Sequence, residues 1–397
     1  KAPFGELYEV PSKNGLTRPA RLRGNGYKMI NMGELFAHDR IGDVAMERVP
    51  MSDKELASML VQKEDLLFAR QSLVWSGAGK CSIVMDVKEP TTFESHIIRV
   101  RLNSRKADPL FYYYYFRSPL SGMASIINQG VQAGIRANDL KKLNVHLPPL
   151  AEQKKISSFL SRYDELIENN RRRIQLLEES ARLLYREWFV HLRFPGHEHV
   201  KVVDGVPEGW ERIPLGDLVE VNRKSLKAGY EGTIQYIDLA SASEGRLSEP
   251  LKTEFKEAPG RARRIVSHGD VIWGGVRPNK RSYALIWEPP ENLIVSTGFI
   301  VLTPKLIPST FLYHLTTTDE FVGYLTNIAQ GAAYPAAKPS DFKEAKVVVP
   351  PKPRQEEFHE YASLIYNQIR TLERQNRKLS ESRDLLLPRL MNGEIAV

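Results

Sequence analysis

The chain is written twice, and this constrains its fold more than any other feature. Leu147-Pro148-Pro149-Leu150-Ala151-Glu152-Gln153 returns 202 positions later as Val349-Pro350-Pro351-Lys352-Pro353-Arg354-Gln355. Each copy follows an Asp-hydrophobic-Lys step, Asp139-Leu140-Lys141 in the first and Asp341-Phe342-Lys343 in the second. Farther upstream, Asp65-Leu66-Leu67-Phe68 answers Asp270-Val271-Ile272-Trp273, and Phe4-Gly5-Glu6-Leu7 answers Leu215-Gly216-Asp217-Leu218. Stacked solenoids repeat every 20–50 residues or so. A far longer period means two domains of one design, each a globular stretch followed by a polar, leucine-bearing tail.

The globular stretches read as mixed α and β. Val271-Ile272-Trp273 and Leu293-Ile294-Val295 are short apolar runs bounded by Gly, Asn or Ser, as strands are. Pro109 to Phe116 and Pro308 to Leu315 read as helix starts, with proline supplying the first turn. The run Tyr112-Tyr113-Tyr114-Tyr115 invites a base-stacking role. Consecutive helical residues point in different directions, however, so these tyrosines are expected in the core or on the helix surface.

After each Pro-Pro step, apolar residues alternate at spacings of four and three. The first seam is Ile156, Leu160, Tyr163, Ile167, Asn170, Ile174, Leu177, Ala181, Leu184 and Trp188. The second is Phe358, Ala362, Ile365, Ile369, Leu372, Asn376, Leu379, Arg383, Leu386 and Leu390. A helix packed on its own domain carries a wider stripe, so this pattern predicts a coiled coil. Its polar members set the orientation. In a parallel pair Asn170 and Asn376 fall in opposite heptad classes and cannot meet. In a fully overlapped antiparallel pair, partners have numbers that sum to 546: Ile156 with Leu390, Ile167 with Leu379, Trp188 with Phe358, and Asn170 with Asn376. Two buried amides satisfy each other, whereas an amide opposite leucine costs stability.

The expected fold class is therefore α+β: two similar mixed α/β domains joined by two long helices in an intramolecular antiparallel coiled coil with pseudo-two-fold symmetry. The expected boundaries are 1–147 and 208–349 for the domains, 148–192 and 350–397 for the helical regions, and 193–207 for a linker. At 1.5 Å per residue the first helix makes a rod of about 50 Å, giving a dumb-bell.

The charge narrows the partners. The formal net charge is +8, which makes an acidic partner plausible without specifying one. The single cysteine, Cys81, cannot close an internal disulfide, which fits a reducing cytoplasm. No apolar run reaches the length of a membrane span, and no charged-then-apolar leader opens the chain. The first residue is Lys rather than Met, so the native start is expected upstream.

Catalytic signatures are absent from the sequence. There is no Gly-rich cofactor loop with an Asn/Asp-Pro-Pro-aromatic step, and no Walker-type loop for ATP. Glu254-Phe255-Lys256 and Glu344-Ala345-Lys346 match a nuclease triplet short enough to arise by chance. His197-Glu198-His199 lies in the linker without the second ligand pair a metal needs. Neither a cofactor, a metal nor a catalytic residue is expected.

Two basic modules on a rigid spacer suit a split DNA site, because half-site separation then becomes a property of the protein. A rod of about 50 Å spans roughly one and a half turns of B-DNA. The two halves differ outside their landmarks, so the half-sites should differ too.

The same landmarks carry a family resemblance. Pro148-Pro149-Leu150-Ala151-Glu152-Gln153-Lys154-Lys155-Ile156 resembles the opening of the first conserved region of type I restriction-modification specificity subunits. Pro207-Glu208-Gly209-Trp210-Glu211 with Ile213-Pro214-Leu215-Gly216-Asp217-Leu218 is similar to the start of their second target recognition domain. Leu387-Pro388-Arg389-Leu390-Met391-Asn392-Gly393-Glu394-Ile395 is similar to their C-terminal close. The second copy departs from the pattern at Lys352-Pro353-Arg354. The resemblance implies a non-catalytic subunit of a DNA adenine methyltransferase/endonuclease complex. It also implies double-stranded DNA, two methyltransferase subunits and restriction/translocase subunits as partners.

Candidate DNA contacts follow from side-chain chemistry: Arg and Lys hold phosphates, while Arg, Asn and Gln read base edges. In the first domain they are Arg18, Arg21, Arg23, Lys28, Arg70, Gln71, Gln132 and Arg136. In the second they are Arg223, Lys224, Lys227, Arg261, Arg263, Arg264, Arg277, Lys280, Arg281, Tyr334 and Lys338. Neutralising Arg277, Lys280 and Arg281 together is expected to weaken binding and flatten its salt dependence. Arg171-Arg172-Arg173 reads instead as a solvated helix face. Three other readings remain: a methylation-only system, a scaffold binding DNA without sequence preference, and an enzyme with an unrecognised site.

Overall fold

The computed structural model describes residues 1–331 and 333–396. The chain divides into two compact units, Lys1–Glu168 with Asn376–Val397, and Asn169–Gln375. Each unit combines one globular stretch with part of both long helices.

In the first unit a five-stranded sheet runs in the order Tyr8–Asn14, Ile97–Leu102, Leu66–Ala69, Cys81–Val84, Arg40–Ile41. Leu66–Ala69 and Cys81–Val84 are buried along their whole length; the first is an unbroken apolar run, and the second carries one buried hydroxyl, Ser82, which donates to the Leu35 carbonyl at 3.1 Å. A three-stranded sheet of Glu47–Val49, Tyr27–Ile30 and Thr91–Phe93 accompanies it. The helix Pro109–Arg117 begins at Asp108, whose carboxylate accepts the Phe111 N–H at 3.0 Å. All four consecutive tyrosines are buried. Tyr112 donates to the His146 carbonyl at 2.8 Å, Tyr114 to Asp164 at 2.6 Å and Tyr115 to the Leu120 carbonyl at 3.1 Å. The run packs the core rather than stacking on bases.

The second unit repeats this plan. Its main sheet has the order Val219–Val221, Phe299–Pro304, Val271–Gly274, Tyr283–Leu285. Its side sheet has the order Leu251–Glu254, Thr233–Ile237, Leu293–Ser296, Ala262–Ile265. Thr233–Ile237 lies parallel to Leu293–Ser296, as Tyr27–Ile30 does to Thr91–Phe93. The helix Ser309–Thr316 answers Pro109–Arg117 with one difference from expectation. Pro308 is its extended cap residue and not part of the first turn.

The repeated landmarks turn out to touch one another. A Cβ on Gly5 would sit 2.3 Å from Lys141 Cγ, and one on Gly216 would sit 2.9 Å from Lys343 Cβ. The opening glycine and the Asp-hydrophobic-Lys step therefore recur together because they meet in space. Gln153 Nε2 donates to the Pro148 carbonyl at 2.8 Å, and Gln355 Nε2 to the Pro350 carbonyl at 2.7 Å. Each buried glutamine ties the Pro-Pro step to the first turn of its long helix.

Those helices are Leu150–Tyr185, prolonged by a π turn over Arg186–Val190, and Lys352–Met391. Every residue of both expected seams is buried or half-buried. In the first unit Asp164 of the first helix ion-pairs with Arg383 of the second, and Ile156, Leu160, Leu387 and Leu390 share one core. In the second unit Tyr185 and Trp188 lie against Phe358, with ring centroids 5.6 and 6.4 Å apart. The early part of each helix thus meets the late part of the other, so they run antiparallel within each unit. Asn170 belongs to the second unit and Asn376 to the first.

Residues 193–207 are more ordered than a linker needs to be. Val202–Val203 and Val206–Pro207 pair as a hairpin, whose turn residues Asp204 and Gly205 have φ of +50° and +75°. No described helix is long and apolar enough to cross a membrane.

Candidate nucleic-acid interface

One small structure recurs outside the cores of both domains. In the first, the chain leaving Leu66–Ala69 forms the strand Gln71–Ser72, which pairs antiparallel with Ala133–Gly134, itself paired with Asn128–Gln129. The Ile135 N–H donates to the Arg70 carbonyl at 2.9 Å, fastening the hairpin to the main sheet. Arg70, Gln71, Gln132 and Arg136 are thereby gathered on one platform. Gln132 and Arg136 are exposed there, as are Asn128 and Gln129. Arg70 is half-buried, and its guanidinium donates to the Ser95 carbonyl at 3.3 Å.

In the second domain Val276 bridges Ala336, which in turn bridges Gln330. These residues correspond to Gln71, Gly134 and Asn128 by their distance from the repeated landmarks. Arg277 lies over the Tyr334 ring at 4.8 Å and donates to the Ala333 carbonyl at 3.0 Å. Lys338 reaches Gln330 Oε1 at 3.2 Å, and Lys280 is exposed in the adjoining Pro278–Lys280 turn. Arg277 and Arg281, on either side of that turn, have φ of +52° and +54°, which few residues other than glycine adopt. Arg277, Tyr334, Lys338 and Lys280 thus stand together, on a platform like the first but furnished with cations.

The remaining basic candidates are distributed differently. Arg18 pairs with Glu55 at 2.6 Å, Arg23 pairs with Glu47, and Lys28 pairs with Asp43 at 2.6 Å and Glu89 at 3.1 Å. Their charge is neutralised inside the domain; the Arg18 hydrogen bond and the Ser52 N–H hold the Glu55 carboxyl down at about 2. Arg21 alone of this group is exposed without such a pair among the described residues. Arg281 is likewise engaged, with Asp319 and with Glu244 at 3.5 Å. Lys224 and Lys227 are exposed on a loop held to the Ala262–Ile265 strand, with the Leu226 N–H donating to the Arg263 carbonyl at 2.8 Å. Arg223 is paired with Glu220 at 3.6 Å, and Arg261 is exposed. Arg263 covers the Phe255 ring at 4.6 Å, and Arg264 donates to Ser225 at 3.2 Å. Arg264 is half-buried, and that burial lowers its pKa.

Two segments with this same plan each match one known family. The model described as type I restriction modification DNA specificity domain matches residues 4–179 and again 207–381. The chain belongs to this family. Each match covers one globular stretch with its platform and most of the long helix that follows. Among curated members of this specificity family, the type I restriction enzyme MjaIX specificity subunit of Methanocaldococcus jannaschii is 22% identical over 353 residues, covering 83% of this chain and 79% of that one. The MjaVIII specificity subunit of the same organism is 22% identical over 374 residues, covering 89% and 84%. The crystal structure of the type I restriction-modification S subunit from M. genitalium superposes with a TM-score of 0.55 at 18% identity, covering 98% of this chain and 95% of that one. That likeness is one of fold.

Reading the sequence alone missed the apolar part of the first platform, Leu73, Val74, Trp75 and Val131, all exposed. The available signal was position. Leu73 to Trp75 directly follow Gln71-Ser72, and Val131 directly precedes Gln132, so both segments were already flagged by polar neighbours.

Proposed function

We propose that this specificity subunit reads a split, asymmetric double-stranded DNA target, one half-site per domain, as the non-catalytic member of a type I restriction-modification complex. The observation that carries the reading is the recurrence of one exposed platform in two domains with different side chains. Amides, apolar groups and the exposed Arg136 furnish the first, several cations and a tyrosine the second. A shared scaffold with divergent contact groups suits two different half-sites, because base-edge chemistry sets sequence while the scaffold sets position. The exposed faces of the two long helices are the seats for two methyltransferase subunits, which restriction/translocase subunits join.

The test is detection of modified adenines across the source genome with and without this gene. Loss of methylation at one split, asymmetric motif is the expected result. A motif that is a palindrome, or methylation that persists when the gene is removed, overturns the proposal. Competition between target and random duplexes separates it from a scaffold without sequence preference.

A further inference from the structure

The first platform ends in an exposed apolar tip. Leu73 is 85% exposed, Val74 60%, Trp75 44% and Val131 fully exposed. The register Ser72↔Ala133 places the residues after Ser72 and those before Ala133 at the same end of the small sheet. Both apolar segments therefore lie at one edge. The tip is a built structure and not a loose loop. The Val74 N–H donates to Ser72 Oγ at 3.2 Å, the Gly77 N–H to the Val74 carbonyl at 3.1 Å and the Ala78 N–H to the Trp75 carbonyl at 3.2 Å. A Cβ on Gly77 would lie 2.3 Å from Ser72 Oγ and 3.1 Å from the Phe36 ring, so the turn is closed tightly on its support.

Folding gains nothing from holding aliphatic side chains in water, so their partner must come from outside. The groups around them say which. Asn128, Gln129 and Gln132 are exposed beside the tip, and Gln71 lies on the adjoining strand. Side-chain amides pair with the N6/N7 edge of adenine, and apolar side chains pack on the thymine C5-methyl. Together they match the two edges of an A·T pair in the major groove. No acidic side chain lies in the segments 71–77 or 128–136 to oppose a phosphate backbone. At the corresponding place the second domain carries Tyr334 under Arg277, with Lys280 and Lys338 nearby.

We propose that the first domain recognises thymine methyl groups through Leu73, Val74 and Val131, with the adjacent amides on the paired adenines. This rests on the platform being the DNA-reading surface and adds the chemical group it reads. The experiment uses the full chain with its methyltransferase partner and the target duplex, replacing thymine by uracil in one half-site at a time. Uracil removes only the methyl group. One half-site should respond, weakening by about fourfold for each recognised methyl removed. A Leu73→Ser/Val74→Ser/Val131→Ser variant changes exposed residues alone, so its fold should be kept, and it should abolish that response. No response in either half-site, or a response that survives in the variant, overturns the proposal. A parent chain that does not prefer the all-thymine target over random duplex refutes the DNA-reading function itself, a separate outcome.

Discussion

Replacing Arg383 by Met should damage the first unit more than its place on a helix surface suggests. Arg383 occupies a seam position of the second long helix and ion-pairs with Asp164 of the first, which also accepts the Tyr114 hydroxyl at 2.6 Å. Three elements thus meet at one carboxylate: the Pro109–Arg117 helix of the globular stretch and both long helices. The side chains of Asp164 and Arg383 are 7% and 12% exposed, so the pair is largely withdrawn from water. Removing one member of such a pair costs about 3–5 kcal/mol, because the other is left buried and uncompensated. The lower end applies to Asp164→Ala, since Arg383 keeps Asp384 at 2.8 Å. For Arg383→Met the carboxylate keeps, among the described residues, the tyrosine hydrogen bond and the nearby Arg117 charge, and about 3–4 kcal/mol is expected. In a domain of 150–250 residues this lowers Tm by roughly 6–16 °C. The triple change Asp164→Leu/Arg383→Met/Tyr114→Phe removes every polar member and should recover most of the stability. The assay is thermal unfolding of the full chain, with hydrogen exchange of the Pro109–Arg117 amides locating the effect. An Arg383→Met chain as stable as the parent, or a triple variant less stable than the single ones, would refute this reasoning.

Lys280→Gln with Lys338→Gln should weaken DNA binding and reduce the slope of log K against log salt by about 0.9 for each phosphate no longer neutralised. These two are exposed, so they isolate DNA binding better than a change at Arg281, which holds Asp319. His314, buried and bonded to the Tyr366 hydroxyl at 3.0 Å, is pushed down to about 3 by burial and then by Arg182. Its stabilising contribution is complete above the ordinary histidine value near 6.5 and falls by about 1.4 kcal/mol per pH unit as pH drops from there toward 3. Unfolding midpoints of the parent and His314→Gln between pH 7 and 5 should therefore converge as pH falls. Burial raises the Asp270 carboxyl, whose Oδ1 has no partner among the described residues. That group stabilises the fold at low pH and gives up its contribution as pH rises from about 4 through its raised value. Asp270→Asn should flatten this decline, read as the difference in Tm between pH 4 and pH 8.

Local order was largely legible because it depends on pattern. The four-three spacing from Ile156 and from Phe358 marks helices, and the buried runs at 66–69 and 271–274 mark strands. The expected antiparallel direction of the helices is met within each unit, where Asp164 pairs with Arg383 and Trp188 lies against Phe358. Ion pairing was not legible. Arg18, Arg23 and Lys28 looked like free cations, yet their partners Glu55, Glu47, Asp43 and Glu89 lie 15 to 61 positions away. Nothing in local composition reports a pairing made only when sheets assemble. The platform was half legible for the same reason. Arg70-Gln71 and Gln132 to Arg136 each stood out, but strand pairing alone joins them.

The two copies share a joint and differ in how they fill it. Asp164 and Tyr366 occupy corresponding positions on the two long helices, 202 residues apart. Each meets a polar group from the helix of its own globular stretch, Tyr114 in the first unit and His314 in the second. The first joint is completed by a cation, Arg383; the second by aromatic packing, with Tyr185 stacked on His314 at 5.6 Å. Acid should therefore act on the second joint through its histidine, which burial keeps neutral until the pH is low. The platforms repeat the same logic at their surfaces, where one scaffold carries mostly amides and aliphatic groups beside Arg136 in one domain and several cations with a tyrosine in the other. A homodimer cannot diverge this way, because its two sites are encoded once. Writing the module twice in one chain frees each copy to change its joint and its exposed platform groups. Meanwhile the landmark pairs, Gly5 on Lys141 and Gly216 on Lys343, hold the shared architecture fixed.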